Sequence, residues 1–177
     1  SVRGQAHRLS RLTRQLLLLS RLDSDGVQRE FEKVDLGGLV EAVAATFADA
    51  NPEARVSVEG APEPVGVRGD IELLARALMN ILENAVTHVR PSVAVSLRVS
   101  RPPGTGRAVV TISDDGPGIP TGLASEVFQR FRRGDAARST GGTGLGLAIV
   151  EEIMTLHGGS VRLAPSGAGA GARFELS

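Results

Sequence analysis

The stretch ALMNILENAVTH, residues 77–88, joins a helical apolar pattern to an unusual polar row. At about 100° per residue, one face of this helix and its flanks collects Ile71, Leu74, Leu78, Ile81, Leu82, Ala85 and Val89. Asn80, Asn84 and His88 follow one another on the opposite side, with Thr87 beside them. Solvated helix faces usually carry better helix formers than Asn and Thr. The row therefore predicts a binding role, since a carboxamide oxygen suits Mg²⁺ that bridges phosphates.

The surrounding sequence predicts an α+β domain. Alternating stretches predict strands at 31–36, 54–60, 64–69, 92–100, 107–114, 159–165 and 172–177. Apolar periodicity predicts helices at 1–24, 35–50, 71–89 and 144–158. Asp70 is placed to cap the third of them. Because the strands come in pairs rather than in βαβ alternation, we expect a two-layer α/β sandwich, with a mixed, mostly antiparallel sheet covered by three helices.

The first helix carries a separate apolar pattern. Leu9, Leu12, Leu16 and Leu19 recur at the spacing of a coiled coil or helix pair. An ordinary amphipathic helix that packs on its own domain would give the same pattern. The helix starts without an obvious cap, so we expect the chain to be part of a longer protein.

Composition excludes several classes of function. Twenty basic residues balance twenty acidic ones, so no basic stripe indicates nucleic-acid binding. The lack of cysteine excludes disulfides and thiolate metal sites. No segment reaches the ~18 apolar residues of a membrane-spanning helix. The single lysine, Lys33, follows no glycine loop, which excludes a P-loop.

Two glycine-containing motifs are candidates for nucleotide contact. In ISDDGPGIP, residues 112–120, a strand ends at Asp114, and a carboxylate there can accept from an exocyclic amine such as that of adenine. Gly116 and Gly118 permit positive φ and close approach of a ligand, although such turns are common by themselves. In GGTGLGLAIV, residues 141–150, glycines before a helix expose N–H groups that can hold phosphate oxygens.

Between these motifs lies a long loop, typical of a functional lid, around VFQRF at 127–131. Phe128 and Phe131 are expected to anchor the lid while an arginine faces a terminal phosphate. A basic surface helix is the alternative interpretation.

In their order and spacing, NILENAVTH, DDGPGI, VFQRF and GTGLGL resemble the ATP-binding module of bacterial two-component sensor histidine kinases. That module has the Bergerat (GHKL) fold, which gyrase, Hsp90 and MutL share. The resemblance covers residues 30–177. The leucine-rich helix resembles the second helix of the dimerisation and phosphoacceptor hairpin of these kinases. The implied units are residues 1–25, part of that hairpin, and 26–177, the catalytic domain with a lid at about 115–143.

The resemblance also implies residue roles, with ATP and Mg²⁺ as cofactors. Asn84 would be the Mg²⁺ ligand and Asn80 its catalytic neighbour toward the phosphates, while Arg133 would face the γ-phosphate with Arg130 as the secondary candidate. The implied nucleotide contacts are Asn84, Thr87, His88, Asp114, Gly116, Gly118, Ile119, Gly142, Thr143, Gly144, Leu145, Gly146 and Leu147. Within the last group, Thr143 and Leu145 would donate backbone N–H groups.

The implied activity is transfer of the ATP γ-phosphoryl group to a histidine on an upstream helix, for relay to a response-regulator aspartate. The implied setting is the cytoplasmic domain of a membrane-anchored, homodimeric sensor kinase. Two features depart from the family. Thr87 stands where the family usually has Lys or Arg, and none of His7, His88 and His157 lies in a phosphoacceptor motif. We therefore expect no autophosphorylation of this chain alone.

Three other functions share the nucleotide motifs. An ATP hydrolase or conformational machine needs a Glu four residues before the Mg²⁺ asparagine; Asn80 stands there, and a carboxamide cannot act as a base. An anti-sigma-type serine kinase lacks the dimerisation helix. A regulatory module that binds nucleotide without transferring phosphate is suggested by Thr87.

Overall fold

A computed structural model describes residues 2–22, 31–61, 63–88, 92–124, 126–131, 143–165 and 171–177. The elements in these residues are α1 (Val2–Leu22), β1 (Glu32–Asp35), α2 (Leu36–Ala50), β2 (Arg55–Glu59), β3 (Gly66–Gly69), α3 (Ile71–His88), β4 (Ala94–Ser100), β5 (Val109–Asp114), α4 (Gly146–Leu156), β6 (Val161–Leu163) and β7 (Arg173–Leu176). Each predicted helix and strand is present, with ends that differ by a few residues. The predicted α+β sandwich is confirmed.

The main sheet is mixed and has the strand order β2-β4-β5-β7-β6. β2 runs parallel to β4, and the other neighbouring pairs are antiparallel. β2 and β3 follow each other closely in sequence, but β3 pairs with β1 in a separate two-stranded sheet. A parallel partner requires a long crossover, and β3 with α3 provides it between β2 and β4.

Helices α2, α3 and α4 pack together and against the main sheet, with the core between them. The buried face of α3 includes the predicted Leu74, Leu78, Ile81, Leu82 and Ala85. Ile71 was predicted on this face but is 44% exposed, whereas Leu73 and Ala77 are buried. Because α3 contacts α2 and α4 as well as β5, its buried stripe is wide enough to include Leu73 and Ala77. Ile71 is the first residue of the helix and stays outside that stripe. Val89 lies outside the described residues.

Helix α1 packs on α4 and divides its leucines between two environments. Leu19 is buried in the core, and Leu12, Leu18 and Leu22 pack against it. Leu9 and Leu16, which the spacing placed on one seam with Leu12 and Leu19, remain exposed, as does Leu17. In the part of the chain that the structure describes, no helix is both long and apolar enough to cross a membrane.

His157 connects the two helices that flank the predicted nucleotide site. It is the C-cap residue of α4. Its Nε2 accepts a hydrogen bond from the N–H of Asp70 (3.0 Å), and its Nδ1 lies 2.7 Å from the carbonyl oxygen of Ile153. The ring also stacks on Phe31. The start of α3 and the end of α4 are thereby held together.

Candidate functional site

The carboxylate of Asp114, the last residue of β5, is held by backbone groups. Its Oδ1 accepts from the N–H of Gly116 (2.9 Å) and from the N–H of Ala172 (3.1 Å). Burial raises the pKa of this carboxyl above its usual value, although the two hydrogen bonds act in the opposite direction. Among the described residues, Oδ2 makes no hydrogen bond. The result is an oriented, partly desolvated acceptor with one free oxygen.

Gly171 makes this arrangement possible, and the sequence interpretation missed it. A Cβ added to Gly171 would lie 2.2 Å from both the carbonyl oxygen and Oδ1 of Asp114, and 2.5 Å from the nitrogen of Gly116. Any other residue would displace the carboxylate or the backbone of β7. The signal was hidden because Gly171 ends a Gly/Ala-rich stretch that reads as a flexible turn.

Of the two glycines that the sequence allowed at positive φ, Gly118 adopts it, whereas Gly116 is not among the described glycines that do. Gly118 has φ 75° and Gly144 has φ 72°, conformations that L side chains rarely adopt. The loop that contains Gly118 is fixed at its start by Asp115, whose Oδ1 accepts from the N–H of Ala94 (2.9 Å). Ile119 is half-buried and packs against the core. This loop is therefore fixed at its start and packed against the core.

The polar row of α3 divides between two surroundings. Asn80 and Glu83 line a groove of about 700 Å³ bounded by α1, α2 and α3, whereas Asn84 is not among the described residues that line it. The Nδ2 atom of Asn80 is buried, and the described residues provide no hydrogen-bond partner for it. Asn84 and Thr87 are half-buried, and the side chain of His88 lies outside the described residues.

The N terminus of α4 is built differently from those of α2 and α3. Helix α4 begins at Gly146 after Leu145, and no side chain caps it among the residues described. Its first N–H groups are therefore available to an anion. Leu145 is buried, and its N–H lies 3.4 Å from Oγ1 of Thr143, whose hydroxyl donates to Oε1 of Gln15 in α1 (2.7 Å). The N–H of Leu145 was predicted to donate to a phosphate oxygen, and in the structure Oγ1 of Thr143 competes for that N–H. Gly144 lies between these two buried residues, and Leu147 packs against the core.

The described part of the lid is anchored on one phenylalanine rather than two. Phe128 meets Phe174 edge to face, with ring centroids 6.3 Å apart. Phe131 is 61% exposed, so the expectation that it anchors the lid is wrong. Its backbone has φ 63° and its N–H donates to the carbonyl oxygen of Gly144, a geometry that accompanies the outward side chain.

Of the two arginines predicted to face phosphate, only Arg130 is among the described residues. Arg130 forms an ion pair with Glu152 of α4, with 3.0 Å between nitrogen and oxygen. Arg133 and Gly142 lie outside the described residues. The ion pair joins the described end of the lid to the helix that follows the glycine motif.

The donor set suits a metal ion that is shared with a nucleotide. Among the residues described, no cluster of three His, Cys, Asp or Glu side chains could hold a metal by itself. A carboxamide such as that of Asn84 supplies one neutral oxygen, and Mg²⁺ commonly takes the rest of its ligands from phosphates and water. The orphaned donor of Asn80 likewise fits an acceptor that arrives with a ligand, as a phosphate oxygen would.

Comparison with known proteins identifies the family. The model described as histidine kinase-, DNA gyrase B-, and HSP90-like ATPase matches residues 69–177. The match covers more than half of the chain, and the chain belongs to this family.

Its relatives define the branch of the family. The chain is 40% identical over 167 residues to the probable sensor histidine kinase TcrY of Mycobacterium tuberculosis. The aligned region covers 93% of this chain and 34% of TcrY. The fold is similar to that of the mycobacterial sensor histidine kinase MprB, with a TM-score of 0.71, 32% identity, and coverage of 82% of this chain and 95% of that one. Full-length ShkA in complex with AMPPNP gives a TM-score of 0.77 at 27% identity, covering 95% of this chain and 34% of ShkA.

These findings confirm the predicted class, an ATP-binding catalytic domain of the sensor histidine kinase type. ATP is the nucleotide that family membership assigns to it. The chain spans about a third of the length of TcrY, since the match covers 34% of that protein.

Proposed function

We propose that this chain is the catalytic part of a two-component sensor histidine kinase. It binds Mg·ATP and transfers the γ-phosphoryl group to a histidine on another segment of the kinase, for relay to a response-regulator aspartate. The observation that carries the proposal is Asn80. Among the described residues, its buried Nδ2 has no hydrogen-bond partner, which supports a role as donor to a phosphate oxygen once a nucleotide is bound, whereas a carboxamide cannot activate water as a base.

The site residues take the roles that their surroundings support. Asp114 would accept the adenine amine at Oδ2, with Gly116, Gly118 and Ile119 forming the base pocket. The triphosphate would meet the glycine motif, residues 142–147, and the uncapped start of α4. Thr87 and His88 would lie on the α3 side of the nucleotide.

Asn84 would hold Mg²⁺, which when bound would neutralise charge on the phosphates and fix their orientation. Arg133 would face the γ-phosphate from the lid. Arg130 is the secondary candidate, and its ion pair with Glu152 would have to open for that role. Most of the catalytic effect would then come from positioning and charge neutralisation rather than from covalent chemistry by the protein.

The remaining proposals concern assembly. Residues 1–25 would belong to the dimerisation hairpin and residues 26–177 to the catalytic domain. Leu9, Leu16 and Leu17 are exposed on α1 and would be covered by other helices of a homodimeric kinase. The domain would be cytoplasmic, in a kinase anchored to the membrane by another segment.

Asn84→Ala tests the site. We expect it to abolish Mg·ATP binding in isothermal titration calorimetry, because the amide oxygen is the proposed protein ligand of the metal. Asn51→Ala is the control: Asn51 caps α2 through a bond from its Nδ2 to the carbonyl oxygen of Phe47, so this variant should lose stability but bind Mg·ATP normally. Wild-type affinity in Asn84→Ala would overturn the site assignment.

A second experiment tests transfer. The chain is mixed with a kinase segment that carries the acceptor histidine, and ATP labelled in the γ-phosphate is added. We expect an acid-labile label on that segment and none on the chain alone. Release of inorganic phosphate without labelling would favour an ATP hydrolase instead.

A further inference from the structure

Helix α1 reaches the glycine motif through one buried polar contact. Among the described residues, the buried polar side chains are Gln15, 4% exposed, and Thr143, 8% exposed, and they are each other's partner. The hydroxyl of Thr143 donates to Oε1 of Gln15 at 2.7 Å, across 128 positions of sequence. An apolar pair could fill this space without any demand on geometry, whereas a buried hydrogen bond forms only when the two groups are aligned.

Thr143 in turn organises the start of α4. Its Oγ1 lies 3.4 Å from the N–H of Leu145, the residue that precedes the helix. Leu145 is buried in the core, so Thr143 and Leu145 are both fixed. Gly144 lies between them, with φ 72°. The conformation of the glycine motif therefore depends on two anchors, and one of them is attached to α1.

The same residue of α1 also shares a groove with α3. Gln15 lines the groove that contains Asn80, together with Arg14 of α1. A rotation of α1 about its axis would turn the side chain of Gln15 away from its present direction. Its distances to Thr143 and to Asn80 would then change together. Leu12 and Leu19, which pack toward the domain, tolerate small movements better than a hydrogen bond does.

We propose that Gln15 is a positioning residue for the phosphate-binding motif, and that its bond to Thr143 makes ATP affinity depend on the docking of α1. Docked α1 holds the motif in the conformation that receives the triphosphate. By thermodynamic reciprocity, bound nucleotide strengthens the docking of α1. The inference rests on the proposed function, since it assigns this motif to the triphosphate.

A double-mutant cycle tests the coupling in the full chain. The variants are Gln15→Leu, Thr143→Val and the double variant, with Mg·ATP affinity measured by calorimetry below the melting temperature of each. We expect each single variant to bind roughly five- to tenfold more weakly, the lower range of typical coupling between sites. The double variant should be no weaker than Thr143→Val, because Gln15→Leu removes a bond that this variant has already lost.

Two further variants separate coupling from stability. Thr143→Ser keeps the hydroxyl and should restore affinity. Thr13→Val makes the same change as Thr143→Val at an exposed position of α1 and should leave affinity unchanged. Hydrogen exchange measured with and without nucleotide adds a readout that a stability change alone would not produce: Mg·ATP should increase the protection of α1 in the wild type, but not in Thr143→Val, which is close in shape and should fold.

The possible failures are distinguishable. If the wild-type chain does not bind Mg·ATP, both the proposed function and this inference are overturned. If it binds, and the single variants bind within twofold of it, bind more tightly or give additive losses, the inference alone is overturned.

Discussion

Asp70 and Asp114 make hydrogen bonds of the same kind, but the bonds of Asp70 stabilise a helix, whereas those of Asp114 orient a partly buried carboxylate. Each uses Oδ1 to accept two backbone N–H groups: Glu72 and Leu73 for Asp70, at 3.0 and 3.1 Å, and Gly116 and Ala172 for Asp114, at 2.9 and 3.1 Å. Asp70 precedes α3, where a carboxylate satisfies open N–H groups and opposes the positive end of the helix dipole. It therefore stabilises the element that it begins.

Asp114 ends a strand rather than preceding a helix, and its burial disfavours the ionised form of its carboxyl group. Burial raises its pKa, and the neighbouring carboxylate of Asp115 acts in the same direction. Its position also requires a glycine at 171. A carboxylate that is oriented at the expense of stability is typical of a functional group, whereas Asp70 is explained by folding alone.

Asp114→Asn is expected to give the largest separation between the two aspartates. The amide oxygen would keep the bonds from Gly116 and Ala172, which leaves an NH₂ group where the adenine amine needs an acceptor. ATP affinity should fall roughly 10- to 100-fold, since a hydrogen bond to a charged group contributes about 1.5–3 kcal/mol. Calorimetric titration with ATP and GTP is the measurement, and GTP, which presents a carbonyl at that position, should lose less.

Asp70→Asn is the matched control for this substitution. Because Asp70 caps α3 and has no proposed contact with the nucleotide, the Asp70→Asn variant should bind ATP as the wild type does. Equal losses in the two variants, or none in Asp114→Asn, would remove Asp114 from the base pocket.

Gly171→Ala sharpens the comparison from the other side. The new Cβ would collide with the backbone and carboxylate of Asp114, so we expect about 1–3 kcal/mol of destabilisation and a loss of ATP affinity of about tenfold or more. Gly66→Ala is the control, because a Cβ there meets nothing within 4 Å. Urea unfolding and calorimetry measure the two effects, and a Gly171→Ala variant with wild-type ATP affinity would contradict the role of this glycine.

The sequence predicted what depends on local rules. The cap at Asp70, most of the buried stripe of α3 and the positive φ of Gly118 follow from residue type and spacing within a few positions. The order of the motifs was sufficient to identify the family.

Contacts between distant segments were out of reach of the same rules. Gly171 is required because β7 passes beside the end of β5, 57 positions earlier by residue number, and no local pattern encodes that approach. Gln15 lay in a leucine pattern that indicated a helix but not its partner. β2 and β3 are adjacent in sequence, but β2 pairs with β4, which follows the crossover through α3, and β3 pairs with the earlier strand β1.

Asp70→Ala should affect folding and leave binding unchanged. Loss of a side-chain cap typically lowers the free energy of unfolding by about 1 kcal/mol. Urea denaturation gives that value, and Mg·ATP affinity measured under native conditions should equal that of the wild type. Glu72→Ala, an exposed residue in the same first turn, is the control for loss of a negative charge near the helix start. If Glu72→Ala destabilises the chain as much as Asp70→Ala, charge rather than capping is responsible.

The smallest expected effect is an increase in the free energy of unfolding, in contrast to the decrease expected for Asp70→Ala. Because the folded-state pKa of Asp114 is raised above its ordinary value of 3.8, the folded chain binds more protons than the unfolded chain between those two pKa values. The contribution of this group to the free energy of unfolding therefore falls as pH rises through that window and stays low above it. Asp114→Asn cannot ionise and should be more stable than the wild type at neutral pH, with the difference disappearing at acid pH below both pKa values. Urea unfolding without nucleotide, from about pH 3 to 7, measures it. An Asp114→Asn variant less stable than the wild type at neutral pH would mean that the carboxylate stabilises the fold, as Asp70 does, and the contrast between the two aspartates would fail.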